Sequence, residues 1–358
     1  MQSVSRDGVG RWVRERLSTA LLTVVLNSLG LGAFSLCVIA LGLHEARAQA
    51  DAYPNKPIRF IVSFPAGSAT DQGARLIAQA MTKATGQSVI VDNRGGASGF
   101  IACEAVARSA PDGYTVLITT GTTHSANPSL YKKLPYDPVK DFLPVTPFSH
   151  NAFVLVVASG FAANTVTDLV KITKAEPSKY SFSSANAPSR IGGEMFKMMA
   201  GVDLLHVPYK GAPQALTDLI AGQVSMMWTD LRTGMPLVQG GKLKALAVTG
   251  KKRLAVTPTM PTMPPIPPIP PIPTMIEQGF PDYELANWGG VYLPAGTSRE
   301  IVLRLNTLVH AAVKAEQAAH ESMGGEVLLL SPEGFAELQA RDTTMWARVT
   351  KAAGMIPE

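Results

Sequence analysis

Cysteine is nearly missing from this chain: Cys37 and Cys103 are its two. Cys37 lies in an N-terminal apolar run. Once that run is removed Cys103 stands alone, which excludes an intramolecular disulfide. No Cys and His fall at zinc-site spacing, so neither metal nor cofactor is expected. Charge is sparse too, at 16% of 358 residues. No basic block with interleaved aromatics occurs, which leaves nucleic-acid binding without footing. The net charge of +5 is partly N-terminal; beyond residue 50, 27 basic and 24 acidic residues remain. Also absent are Gly-x-Ser-x-Gly and the phosphate loop ending in Gly-Lys-Ser/Thr. The glycine-rich turn 95–99 does not match a dinucleotide fingerprint. His124 has no Ser, Cys or Asp placed by sequence to complete a triad, so no enzyme is expected and a hydrolase is a distant alternative.

What is present is apolar material, 46% of residues, enough for sizeable cores, over a length that suggests two domains. Arg11, Arg14 and Arg16 precede an uncharged stretch from Leu17 to Leu43, and Ala48-Gln49-Ala50 gives a small-x-small site. That order is that of a secretory signal peptide over residues 1–50, cut after Ala50 into an extracytoplasmic compartment. The stretch is long enough to be retained instead as a membrane anchor.

Beyond it, β-rich runs alternate with helical spacing twice. Strands are expected at 58–64, 89–91 and 114–119, with helices at 71–84 and 100–108. A second cycle has strands at 153–157, 181–184, 204–207, 225–228 and 243–248. Its helices lie at 167–175, 192–200 and 212–220. The order implies a parallel sheet covered by helices, in two α/β lobes. Residues 258–273 are proline-rich, with a repeated Pro-Pro-Ile that cannot join a sheet ladder. A strand at 288–293 returns to the first lobe, followed by helices at 301–315 and from 332 to about 352.

In open α/β sheets, ligands bind beyond the carboxyl ends of strands, where helix N-termini attract anions. Three small, polar loops are so placed. The first carries Phe64, Ala66, Gly67, Ser68, Thr70 and Asp71. The second carries Gly121, Thr122, Thr123 and His124. The third carries Ser183, Ser184, Ala185 and Asn186. Each offers hydroxyls and backbone donors with few charges, which suits a carboxylate; each is also, taken alone, an ordinary N-cap. Arg190 either anchors a second carboxylate or faces solvent.

Several segments resemble one known family. They include Tyr-Pro-x-Lys-Pro-Ile-Arg at 53–59, Phe-Pro-x-Gly at 64–67 with Asp71, and Val-Asp-Asn-Arg at 91–94. They continue with Ala-Pro-Asp-Gly-Tyr-Thr at 110–115, Leu-Pro-Tyr-Asp-Pro-Val-Lys-Asp-Phe at 134–142, and Val-Pro-Tyr-Lys-Gly at 207–211. Leu-Lys-Ala-Leu-Ala-Val-Thr at 243–249 and Leu-Pro-Ala-Gly-Thr at 293–297 complete the set. From Tyr53 nearly to Glu358 the chain is similar to the Bug-type extracytoplasmic solute receptors of tripartite tricarboxylate transporters. The resemblance implies a type II periplasmic-binding-protein fold: two α/β lobes joined by a hinge of two crossing strands, with the ligand cleft between them. Residues 51–151 plus 286–358 would form lobe 1, and 152–285 lobe 2, the proline tract being an insertion. The implied ligand is a small organic acid: a di- or tricarboxylate, an acidic amino acid or an aromatic acid. The implied partners are the large and small membrane subunits of a permease, with the receptor a monomer. Mapped here, the ligand loops are 64–71, 121–124 with Asn127, and 184–189 including Ser189; Tyr209, Asp230 and Trp288 line the cleft. The pattern is broken where Ala66-Gly67-Ser68 replaces Pro-Gly-Gly, where Pro188 enters a shortened loop, and where Arg190 replaces a common His. A sensory receptor of the same fold, feeding a signalling system, is the alternative.

Overall fold

The first strand has almost no polarity pattern because both its faces are covered: Ile58, Phe60, Ile61 and Val62 are buried and Arg59 alone is exposed. A computed structural model describes residues 53–254, 270–283, 285–322 and 326–358. The expected export signal and most of the Pro-Pro-Ile tract lie outside them. Residues 54–358 form one unit.

Strand β1 (Ile58–Val62) leads to α1 (Ala69–Thr85), β2 (Val89–Asn93), α2 (Phe100–Ala107) and β3 (Thr115–Thr120). After β3 come a π turn (Thr122–Ala126), α3 (Asn127–Leu130) and the long β4 (Phe142–Ala158). Next follow α4 (Val166–Ala175), β5 (Ser181–Ser184), α5 (Ala187–Ala200), β6 (Leu205–Pro208) and α6 (Ala212–Ile220). Then come β7 (Met226–Asp230), α7 (Leu231–Gln239) and β8 (Leu243–Val248). Last are β9 (Ala286–Pro294), α8 (Arg299–Ala315), α9 (Gln317–Ser322) and α10 (Pro332–Ala352).

The strands join one sheet in the order β2-β1-β3-β9-β4-β7-β5-β6, with β8 also paired to β4. The expected parallel pairing occurs within each half, β2-β1-β3 and β7-β5-β6. Between them, β4 and β9 run antiparallel to their neighbours, so the sheet is mixed. Strand β4 pairs with β9 up to Ala152 and with β7 from Phe153, and so passes from one half to the other. The boundary drawn at 151/152 falls inside this strand.

Strand β4 starts at Phe142, eleven residues before the expected strand at 153–157, and it contains Pro144 and Pro147, which disfavour a regular ladder. The chain accommodates both at register shifts between Pro144 and Thr146 and between Pro147 and Ser149. Helix α7 was missed, since Gly234 and Pro236 lie inside it. Helix α5 starts at Ala187 rather than Gly192: Asn186 caps it and Pro188 sits in its first turn. Gly192 and Gly193 then let α5 lie close on the sheet, where an added Cβ would strike Trp228 or Phe182.

Candidate functional site

Both halves of the sheet end in polar turns, and these turns face each other across a cleft of about 310 Å³. That is near the lower end of the roughly 300–1,000 Å³ typical of small-molecule sites. The first half contributes Ser63, Phe64, Ser98, Thr122, Asn127 and Tyr131 among others. The second contributes Ser184, Asn186, Arg190, His206, Tyr209 and Lys210, and Glu358 completes the rim. The halves also touch directly: a Cβ on Gly211 would collide with the Pro65 ring, and one on Gly67 would lie 3.4 Å from Pro213.

The π turn after β3 sets the first-half polar groups. Its wider hydrogen-bonding repeat places Thr122 and Asn127 on the cleft wall. Asn127 Nδ2 donates to the Ser98 carbonyl at 3.0 Å and to Tyr136 Oη at 3.2 Å, which fixes the amide. Its Oδ1, like Thr122 Oγ1, is buried without a hydrogen-bond partner. Buried polar atoms are rarely left so, and those on a cleft wall suit a polar ligand. Behind them, the hydroxyls of Ser63, Thr119 and Thr123 form a buried chain at 2.8 and 2.7 Å that locks the turn.

The second-half wall is built by the start of α5. Asn186 Oδ1 accepts from Ser189 N at 2.9 Å while its Nδ2 donates to Asp230 at 3.3 Å. Ser184 Oγ lies 2.7 Å from His206 Nε2. Burial, aided by the Arg190 charge, pushes His206 down to about 4, so it is neutral at pH 7. Arg190 Nη1 donates to Glu358 Oε1 at 2.7 Å, while its buried Nε has no partner. Tyr209 lends its ring to the cleft; its hydroxyl donates to Asp218 at 2.7 Å.

Of the residues singled out from sequence, Phe64, Thr122, Asn127, Ser184, Asn186, Arg190 and Tyr209 line this cleft together. Asp230 and Trp288 line a separate void of about 20 Å³ beside the β4–β9 crossing, with Thr70 and Thr120. Burial raises Asp230 to about 6, opposed by the Asn186 bond. Trp288 donates from Nε1 to Asp342 at 2.6 Å.

The remaining residues support the loops rather than line the cleft. Ser68 caps α1 by accepting from Asp71 N at 3.2 Å. Asp71 is buried, accepting from Gly67 N at 2.8 Å and Asn93 Nδ2 at 2.9 Å and pairing with Arg75. Ala66 and Gly67 are exposed, and a Cβ on Gly121 would meet Asn287 Oδ1 at 2.8 Å. Ser189 Oγ is buried and unpartnered within α5. Thr123 and His124 are in the core: the His124 ring stacks on Tyr292 at 4.0 Å and burial drives it down to about 3. A general base needs solvent access and a pKa near neutrality, and His124 has neither.

Sequence reasoning passed over Ser98, Tyr131, His206, Lys210 and Glu358. A signal existed for His206, since β6 pairs in register with β5 and carries it beside the Ser184 turn. None existed for Glu358, which reaches the cleft only through tertiary packing.

A two-winged sheet with facing polar turns is the architecture of the periplasmic binding proteins. The model of the "Tripartite tricarboxylate transporter family receptor" matches residues 73–354, and the chain belongs to that family, as a Bug-type receptor. It is 31% identical to Protein BugT of Bordetella pertussis over 314 residues, 86% of this chain and 93% of that protein. Among solved structures it is similar to R. palustris Rpa4515 with adipate, at 34% identity and TM-score 0.79, covering 86% and 100% of the two chains. It is also similar to MatC from Rhodopseudomonas palustris with bound malate, at 28% identity and TM-score 0.73, covering 83% and 99%.

Proposed function

We propose that this chain is a periplasmic, non-catalytic receptor that closes around a small organic carboxylate and hands it to a tripartite membrane permease. What supports this most is the cleft wall itself, where the Thr122 hydroxyl, buried and unpartnered within the chain, can donate into a cleft also lined by Arg190 and Lys210. Hydroxyls and backbone N–H groups hold one carboxylate through several charge-assisted bonds, and the basic residues favour a negative ligand. Relatives bound to adipate and malate agree with that chemistry.

Closure follows from differential affinity. Ligand bound between the two turns gains contacts from both halves that an open form lacks, so it shifts the population towards the closed one. The two lobes are residues 51–151 with 286–358, and 152–285, hinged on β4 and β9. Residues 1–50 direct export and are removed. Delivery to large and small membrane subunits, by the receptor as a monomer, completes the cycle.

The test is calorimetry of the exported form, freed of carried-over ligand, against a panel of organic acids. At least one acid binds at about a micromolar or tighter, roughly −8 kcal/mol. Silence across mono-, di- and tricarboxylates and acidic amino acids would overturn the proposal.

A further inference from the structure

Glu358 bridges the two halves at the mouth of the cleft. Its backbone is pinned to the first half, donating to the Leu130 carbonyl at 2.9 Å and accepting from Lys132 N at 2.8 Å. Its side chain crosses to Arg190 on α5 of the second half, at 2.7 Å. Both residues line the same cleft as Thr122 and Asn127. The pair is lopsided: the Glu358 side chain is 57% exposed, that of Arg190 only 22%. Arg190 Nε, moreover, is buried and has no acceptor. Glu358 therefore uses one corner of the guanidinium fork and leaves another unsatisfied. A guanidinium binds a carboxylate best through two parallel N–H donors. The exposed carboxylate also pairs weakly, because water competes for it.

We infer that Glu358 is an internal competitor for Arg190, held on the cation until the outer carboxylate of a dicarboxylate ligand displaces it. This rests on the carboxylate reading of the cleft and extends it to selectivity. A ligand with one carboxylate meets the hydroxyl-lined turns and leaves the Glu358–Arg190 pair in place. A ligand with two must expel Glu358 and gains the fuller contact with Arg190. Glu358 thus sets how strongly the receptor discriminates between one and two negative charges, and Arg190 is the residue through which it does so.

The experiment compares Glu358→Gln with the unaltered protein by calorimetry on chain-matched pairs: butyrate with succinate, and hexanoate with adipate. Neutralising Glu358 tightens the diacids about fivefold, the effect of one partly exposed charge pair, and moves the monoacids less than twofold. Adding Arg190→Gln to that variant abolishes the gain. Thermal unfolding of both variants checks that the fold is kept, and Glu358→Ala repeats the measurement without an amide to replace the bond. An unchanged diacid-to-monoacid ratio, or equal weakening of both classes, overturns the inference while leaving the carboxylate receptor intact. Failure of every acid to bind either protein overturns both.

Discussion

Thr122 lines the cleft with a hydroxyl that is buried and unpartnered within the chain. Its removal should therefore separate binding from stability. Thr122→Val keeps the shape and deletes the hydroxyl; carboxylate affinity falls about fivefold, about 1 kcal/mol, while the thermal midpoint holds or rises. Calorimetry and a melting curve on one preparation decide this, and parallel losses in both would refute the role given to Thr122. Histidine burial makes a second residue-scale forecast. His124, His206 and His320 are held down to about 3, 4 and 4 by burial, against about 6.5 in an unfolded chain. Folded values below unfolded ones contribute stability that is present above pH ~6.5 and lost as pH falls towards 4. Asp230, raised to about 6, works the other way between about pH 6 and 4, and Asp342 is raised too. The histidines prevail, so the midpoint falls with acidification. Scanning calorimetry from pH 8 to pH 4 reads this, and His124→Phe, which keeps a ring against Tyr292, gives a shallower fall. These pairings were invisible in the sequence, where His124 read as a loop residue because its neighbours are small and polar. The π turn that buries it leaves no periodic trace.

Helix α5 shows what an element demands beyond its own propensity. Its glycines face the sheet, and a Cβ on Gly193 would collide with the Phe182 ring, which is itself fully buried. Gly193→Ala has better intrinsic helix propensity yet destabilises the protein by about 1–3 kcal/mol, because overpacking outweighs the backbone gain. Urea unfolding measures it, and a stabilised variant would contradict the packing described. Most strands and helices were legible, since their polarity spacing is set by the same sheet they cover; β5, α6 and β8 lie within the spans read for them. The first eleven residues of β4 were not, because proline rules describe regular ladders and this strand bulges. The three polar turns expected to hold ligand were legible as classes of turn, and the first of them brings only Phe64 to the cleft. Which side chains within them point inward was not, since one residue's rotation about a turn moves a hydroxyl from cleft to core.

For the whole molecule, the close approach of Pro65 to Gly211 is the tightest statement of closure. Gly211 is extended, at φ −174°, so any residue could adopt its backbone and the constraint is purely steric. Gly211→Ala leaves each half intact and wedges the two apart. Carboxylate affinity drops at least tenfold, about 1.4 kcal/mol. Small-angle scattering gives a larger radius of gyration with ligand than the unaltered protein shows. A variant that binds and compacts normally would mean that the Pro65–Gly211 contact does not limit closure.

Strand β4 carries a further implication for biogenesis. It has β9 on one flank in the first half and β7 and β8 in the second, and β3 also waits for β9. A nascent chain that has yet to emerge as far as Ala286 thus has an unfinished sheet, with two ladders open down its middle. The first half lacks its last ladder until β9 is made, whereas the ladders of the second half all precede it in the chain. The two halves are thus stitched into one continuous sheet only when β9 slots between β3 and β4, so their relative placement is the last thing the chain decides.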